Sequence, residues 1–161
     1  MRLRALAALF LLGAGACRPP KPLLPAPEVG IEKLLQAPAG SLRSLSELKG
    51  SVVILEFWAT WCGPCVEKLP HMNKMVDAFA GRPVKFISVT EEDEATVREF
   101  LKTHPMKAWI GLDPGRKAFS AFKVRGIPEL FVIDPYGRVT LRVNPSWFYK
   151  SDVEKALKAK P

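Results

Sequence analysis

The stretch that decides the fold is Ser51-Val52-Val53-Ile54-Leu55-Glu56-Phe57-Trp58-Ala59-Thr60-Trp61-Cys62-Gly63-Pro64-Cys65. Residues 51–59 form a near-continuous apolar run rich in β-branched side chains, the pattern of a central strand buried on both faces. From Cys62 the period changes. Val66, Leu69, Met72, Val76 and Phe79 recur at three- and four-residue spacing, which predicts a helix from Cys62 to Ala80. Pro70 should kink that helix and Gly81 should end it. A buried strand running into a helix leaves Cys62 in the first helical turn. Backbone N–H groups point outward there and the helix dipole favours negative charge.

Downstream, Val84–Val89 reads as a second strand. Thr90 is expected to cap the next helix, with Glu91, Glu92, Asp93 and Glu94 in its first turn. That helix carries Val97, Phe100 and Leu101 inward and stops before Pro105. Ala108-Trp109-Ile110 leads into a turn at Asp113-Pro114-Gly115, and 117–123 is a short helix candidate. Leu130–Ile133 and Val139–Val143 read as a hairpin around Pro135-Tyr136-Gly137. Ser151 is expected to cap a last helix ending near Lys160. Upstream, residues 31–50 suggest a small edge hairpin and a turn around Gly40 and Gly50. The order strand–helix–strand–helix, then strand–strand–helix, predicts an α/β sandwich with a mixed central sheet flanked by helices.

At 161 residues and 48% hydrophobic content, the chain has enough apolar side chains for one core. Its net charge is +8, and +6 remains if Arg2 and Arg4 are removed with a leader. The basic residues are scattered rather than gathered in a run that tracks phosphates, so nucleic acid is not an expected partner. A positive charge of this size reads first as a solvated basic surface, with acidic partners or an anionic membrane surface as the alternative.

A thiolate is stabilised at the position of Cys62, and the thiolate is the nucleophile in disulfide exchange. Cys65 lies one turn further on, within reach of Cys62. The two can close a small disulfide ring and reopen it, with Gly63 easing the turn and Pro64 suiting an early helical position. Other uses of the pair compete with this one. Zinc would need four ligands from Cys62, Cys65, His71 and His104, whose spacing is not that of a zinc finger. A purely structural bridge across one helical turn closes almost no loop and stabilises little. An inert reduced pair is the third alternative. His71 and His104 are expected to be surface residues without a role. Glu56 is an acid inside an apolar strand. A buried, unpaired carboxylate is expensive, so it either becomes neutral or has a function, unless the strand surfaces at that point.

Phe57-Trp58-Ala59-Thr60-Trp61-Cys62-Gly63-Pro64-Cys65, with Pro70 after it, resembles the active-site stretch of thioredoxins. It is more similar to the TlpA/ResA/DsbE-like branch of exported thiol–disulfide oxidoreductases. Gly126-Ile127-Pro128 and the strand that follows resemble that family's cis-proline loop. The resemblance covers roughly residues 40–160 and implies a thioredoxin-like fold with the branch's insertion after the second strand–helix unit. It implies that Cys62 attacks and Cys65 resolves, that Pro128 is cis, and that Ile127 pairs with a client peptide like an added strand. Trp61, Gly63 and Pro64 would contact the client. Glu56 matches the buried acid of thioredoxins that takes a proton from the resolving cysteine, although the branch often has a neutral residue there. Many relatives carry Thr at the position of Glu129. A carboxylate near Cys62 would disfavour its thiolate and make the couple more reducing.

The resemblance further implies disulfide-bearing exported proteins as clients, with cytochrome c maturation as one setting, and a membrane electron donor of the thiol-relay type. No cofactor and no metal are expected, and a monomer is the default for this fold. Three alternatives stand beside this reading: an envelope disulfide oxidant or isomerase, a copper-binding thiol chaperone, and a peroxide-reducing enzyme. The last expects a Thr three residues before its cysteine, where this chain has Thr60 two before Cys62.

The N-terminus completes the expected organisation. Met1-Arg2-Leu3-Arg4 is a short basic segment, and Ala5–Ala14 is an uncharged apolar run of signal-peptide length, too short to span a bilayer as a helix. Gly13-Ala14-Gly15-Ala16-Cys17 resembles a bacterial lipobox, with Cys17 as the lipid-bearing residue, although Ala14 stands where Leu is preferred. Cleavage near Ala16 or an uncleaved anchor are the alternatives. Five prolines in residues 18–27 suggest an extended spacer. The expected division is therefore a signal over 1–17, a Pro-rich linker over 18–39 and a thioredoxin-like domain over 40–161, located in the bacterial periplasm or cell envelope.

Overall fold

The computed structural model describes residues 23–38 and 42–161. The signal reading of 1–17, including Cys17, lies outside the described residues, as does the start of the linker.

The central strand is β3 (Val52–Phe57), buried at every position. It pairs in parallel with β4 (Val84–Thr90), which pairs in parallel with β5 (Trp109–Leu112). On its other side β3 runs antiparallel to β6 (Glu129–Ile133), and β6 to β7 (Arg138–Val143). Two strands upstream of residue 40 complete the sheet. Residues assigned to the linker form β1 (Leu24–Pro25), which pairs with β7, and β2 (Lys33–Leu35), which pairs with β5. Strand order is β1-β7-β6-β3-β4-β5-β2, a mixed sheet as expected. The proline-rich composition predicted a spacer because single prolines suit a sheet edge as well as a free chain. The edge hairpin expected in 31–50 is reduced to one bridge between Ile31 and Leu42, while β2 pairs with β5 instead.

Alternation along β3 separates two cores. Val52 and Ile54 pack with Met72 and Met75 of α1 (Gly63–Ala78) and with Val153 of α4 (Lys150–Leu157). Val53, Leu55 and Phe57 face the other way, against Phe119 of α3 (Lys117–Ala121) and Phe122. The remaining helix, α2 (Glu94–Leu101), sends Val97 into the cluster that contains both Cys62 and Cys65. Pro70 lies inside α1, which continues to Ala78, and Gly81 follows in a left-handed conformation (φ 76°).

Two helix starts differ from expectation. Thr90 stays in β4, where its carbonyl accepts from Asp113 N, and the cap of α2 is Asp93, whose side chain accepts from Thr96 N at 2.8 Å. Ser151 lies within α4. Its start is at Tyr149, whose N–H donates to Asp152 at 2.9 Å. In both cases a carboxylate reaches the free N–H groups, so the hydroxyl residue is not needed as cap. The short α3 is held similarly. Asp113 is buried and accepts from the backbone N–H of Lys117, Ala118 and Phe119.

Candidate active site

Cys62 is the N-cap of α1, and its sulfur accepts from Cys65 N at 3.3 Å. The two cysteines are joined as a disulfide with a Cα–Cα distance of 5.2 Å. A sulfur at a helix N-cap is where the orphan N–H groups and the dipole stabilise negative charge, so reduction of this bond releases Cys62 into a site that favours its thiolate. Cys62 is 5% exposed and Cys65 1%, which leaves Cys62 the more accessible of the two. Trp61 beside it is 68% exposed, and Gly63 and Pro64 are exposed as well.

The Ile127–Pro128 bond is cis. Ile127 packs against the cluster holding Cys62, Cys65 and Trp58, so residues more than 60 positions apart in sequence meet at one site. Asn144, which the sequence did not single out, donates to the Pro128 carbonyl at 3.3 Å and ties this loop to the end of β7.

Glu56 is 2% exposed. Ile54 on the same face of β3 packs with α1, and alternation puts Glu56 on that face too, toward the strand end that leads into the cysteines. The expectation of a solvated surface acid therefore does not apply. Burial pushes its pKa up to about 7, opposed by a hydrogen bond from Ser88 Oγ at 3.2 Å. A carboxyl poised near neutrality can carry or accept a proton at ordinary pH.

Glu129 has a different environment from the one considered above. It sits opposite Phe57 in the β3–β6 register, on the face away from Glu56 and α1. Arg142 holds its carboxylate through two hydrogen bonds, of 2.6 and 3.0 Å. Strand alternation and this ion pair direct the charge away from the cysteines, so an effect on the Cys62 thiolate is not expected.

A second acid, absorbed in the sequence by the acidic run after β4, takes on a site role. Glu92 accepts from Thr60 N at 2.7 Å and from Thr60 Oγ1 at 2.6 Å, and also from Thr90 Oγ1 at 3.1 Å. It fastens the loop that carries Trp61 and Cys62 to the end of β4. Nothing local in the sequence distinguishes Glu92 from Glu91 or Glu94, because its partner lies 32 residues away. The histidines are also engaged. His71 Nε2 lies 3.0 Å from the Phe148 carbonyl, and His104 stacks on Phe100 with centroids 4.3 Å apart. Both are half-buried rather than idle on the surface. Among the described residues no three His, Cys, Asp or Glu side chains converge as a metal centre would require.

A mixed sheet with helices on both faces, a Cys-Gly-Pro-Cys disulfide at a helix N-terminus and a cis-proline loop beside it define a thioredoxin-like protein. The chain belongs to the AhpC/TSA family, whose model matches residues 25–142. It is similar to the thiol–disulfide oxidoreductase ResA of Bacillus cereus, 33% identical over 105 residues, 65% of this chain and 61% of that protein. The chain thus spans about three-fifths of that relative's length. The thioredoxin-like protein YneN of Bacillus subtilis (strain 168) is 34% identical over 142 residues, 81% of each chain. Among solved structures, a thiol:disulfide interchange protein of the thioredoxin family from Chlorobium tepidum TLS has 28% identity and a TM-score of 0.69. That match covers 85% of this chain and 98% of that one.

Proposed function

We propose that this chain is a thiol–disulfide oxidoreductase that reduces disulfides in exported proteins of the bacterial envelope. The observation that carries the reading is the Cys62–Cys65 disulfide at the N-terminus of α1, packed in one cluster with Ile127 of the Pro128 loop. In the reduced enzyme the Cys62 thiolate attacks one sulfur of a client disulfide, and the other client sulfur leaves as a thiolate that takes up a proton. Trp61, Gly63, Pro64 and the backbone of Ile127 hold the client strand during this step. Glu56 in its ionised form takes the proton from Cys65. The Cys65 thiolate then attacks Cys62, the mixed disulfide breaks, and the second client sulfur departs reduced. Two electrons have passed from the enzyme dithiol to the client, leaving the Cys62–Cys65 disulfide.

A membrane electron donor of the thiol-relay type restores the dithiol in this scheme, and apocytochrome c before haem attachment is one suitable client. Residues 1–17 export the chain, and a lipid on Cys17 would hold it at the membrane. Equilibration of the pair against dithiothreitol and glutathione with thiol trapping tests the direction of transfer. A potential near that of thioredoxin, about −270 mV, fits a reductant, whereas a value near about −120 mV makes the protein a disulfide donor.

A further inference from the structure

Beside Trp61 and Ile127 lies a groove of about 180 Å³, with Glu91, Arg116, Phe119 and Arg125 among its walls. Its charges are unequal in their commitments. Arg116 is ion-paired with Glu91 and its guanidinium lies over the Phe119 ring, 5.0 Å from the centroid. Lys117 nearby is paired with Glu32, and Arg142 with Glu129. Arg125 is exposed and, among the described residues, has no carboxylate within ion-pair distance. The groove therefore offers one uncommitted guanidinium, two residues before Ile127, at the edge of the site.

We propose that Arg125 sets client specificity by binding a carboxylate side chain close to the client cysteine. The proposal rests on the reductase reading above, because it takes the client strand to lie along Ile127. In an extended strand, residues two apart are about 6–7 Å apart on the same side. A client residue opposite Arg125 is therefore two or three positions from the cysteine that meets Cys62. An Asp or Glu there gains a charge-assisted, two-pronged contact with the guanidinium, which a Lys cannot make and whose charge it would meet as repulsion. The Trp61 indole supplies the apolar floor for the rest of that segment.

The test uses three cyclic peptides, each closed by one Cys–Cys disulfide, identical except for Glu, Gln or Lys two residues from each cysteine. Second-order rate constants for their reduction by the dithiol enzyme are read by quenched chromatography. The wild type should prefer Glu over Lys by about five- to tenfold at low salt, falling as salt is raised. Arg125→Glu should reverse that order. Lys158→Glu, which makes the same change in net charge at the far end of α4, should keep the wild-type order and so separates a local contact from overall attraction. Equal rates for all three peptides, or the same change in ratio in both variants, would overturn the role of Arg125 and leave the reductase reading intact. Failure of the wild type to reduce any of the three would remove the reductase reading and this inference with it.

Discussion

Glu56→Gln should make the stability of this protein less dependent on pH by a calculable amount. An ordinary glutamate in the unfolded chain titrates near 4.5, whereas burial raises Glu56 in the fold to about 7. Below both values the group is protonated in both states and contributes no pH dependence. Between them the folded state keeps a proton that the unfolded state has released, so stability falls as pH rises. The slope is about 1.4 kcal/mol per pH unit, and over the window from 4.5 to about 7 the loss reaches about 3 kcal/mol. Above that window the deficit is constant. Glutamine has nearly the same volume and can still accept the hydrogen bond from Ser88 Oγ, but it cannot ionise. Urea unfolding of the oxidised wild type and variant at intervals from pH 4.5 to 8 reads the difference directly. The two should coincide near pH 4.5 and diverge until the variant is more stable by about 3 kcal/mol near pH 8. A difference that stays flat across this range would refute the burial of a titrating Glu56. The same variant, lacking the proton acceptor, should resolve mixed disulfides more slowly.

Cys65→Ser should trap a stable mixed disulfide with a client on non-reducing gels, while Cys62→Ser should form none; trapping through Cys65 instead would reverse the assigned roles. Glu92→Ala deletes the acceptor shared by Thr60 and Thr90, and hydrogen bonds to a charged group of this kind are worth about 1.5–3 kcal/mol. Its urea midpoint should fall accordingly, and amide exchange in 59–62 should speed up. Phe57→Ala removes a fully buried ring that packs at 4.8 Å on Phe119 and at 5.8 Å on Phe131, and should cost about 3–5 kcal/mol by the same unfolding assay.

The pairing chemistry was legible in the sequence because its determinants are local. An apolar β-branched run, a switch to helical spacing and two cysteines one turn apart lie within a few residues of each other, and each signal is set by backbone periodicity. That information placed β3, α1, Cys62 and Cys65, and the acid at position 56 stood out from its apolar neighbours. Helix starts were less legible. Thr90 and Ser151 are good caps in isolation, but nearby carboxylates hold the N–H groups and the sheet keeps Thr90 extended.

Relations between distant segments were decided by the tertiary structure alone. Pairing of β1 and β2 with sheet edges depends on which strands stand free there, which no local pattern of a proline-rich stretch reveals. Glu92, Glu129 and Arg125 are ordinary surface charges when read along the chain. Their different roles come from what folding brings beside them: Thr60 beside Glu92, Arg142 beside Glu129, and an open groove next to Trp61 beside Arg125. A charge carries no periodicity of its own, so its partner is fixed only when the sheet register and loop positions are fixed.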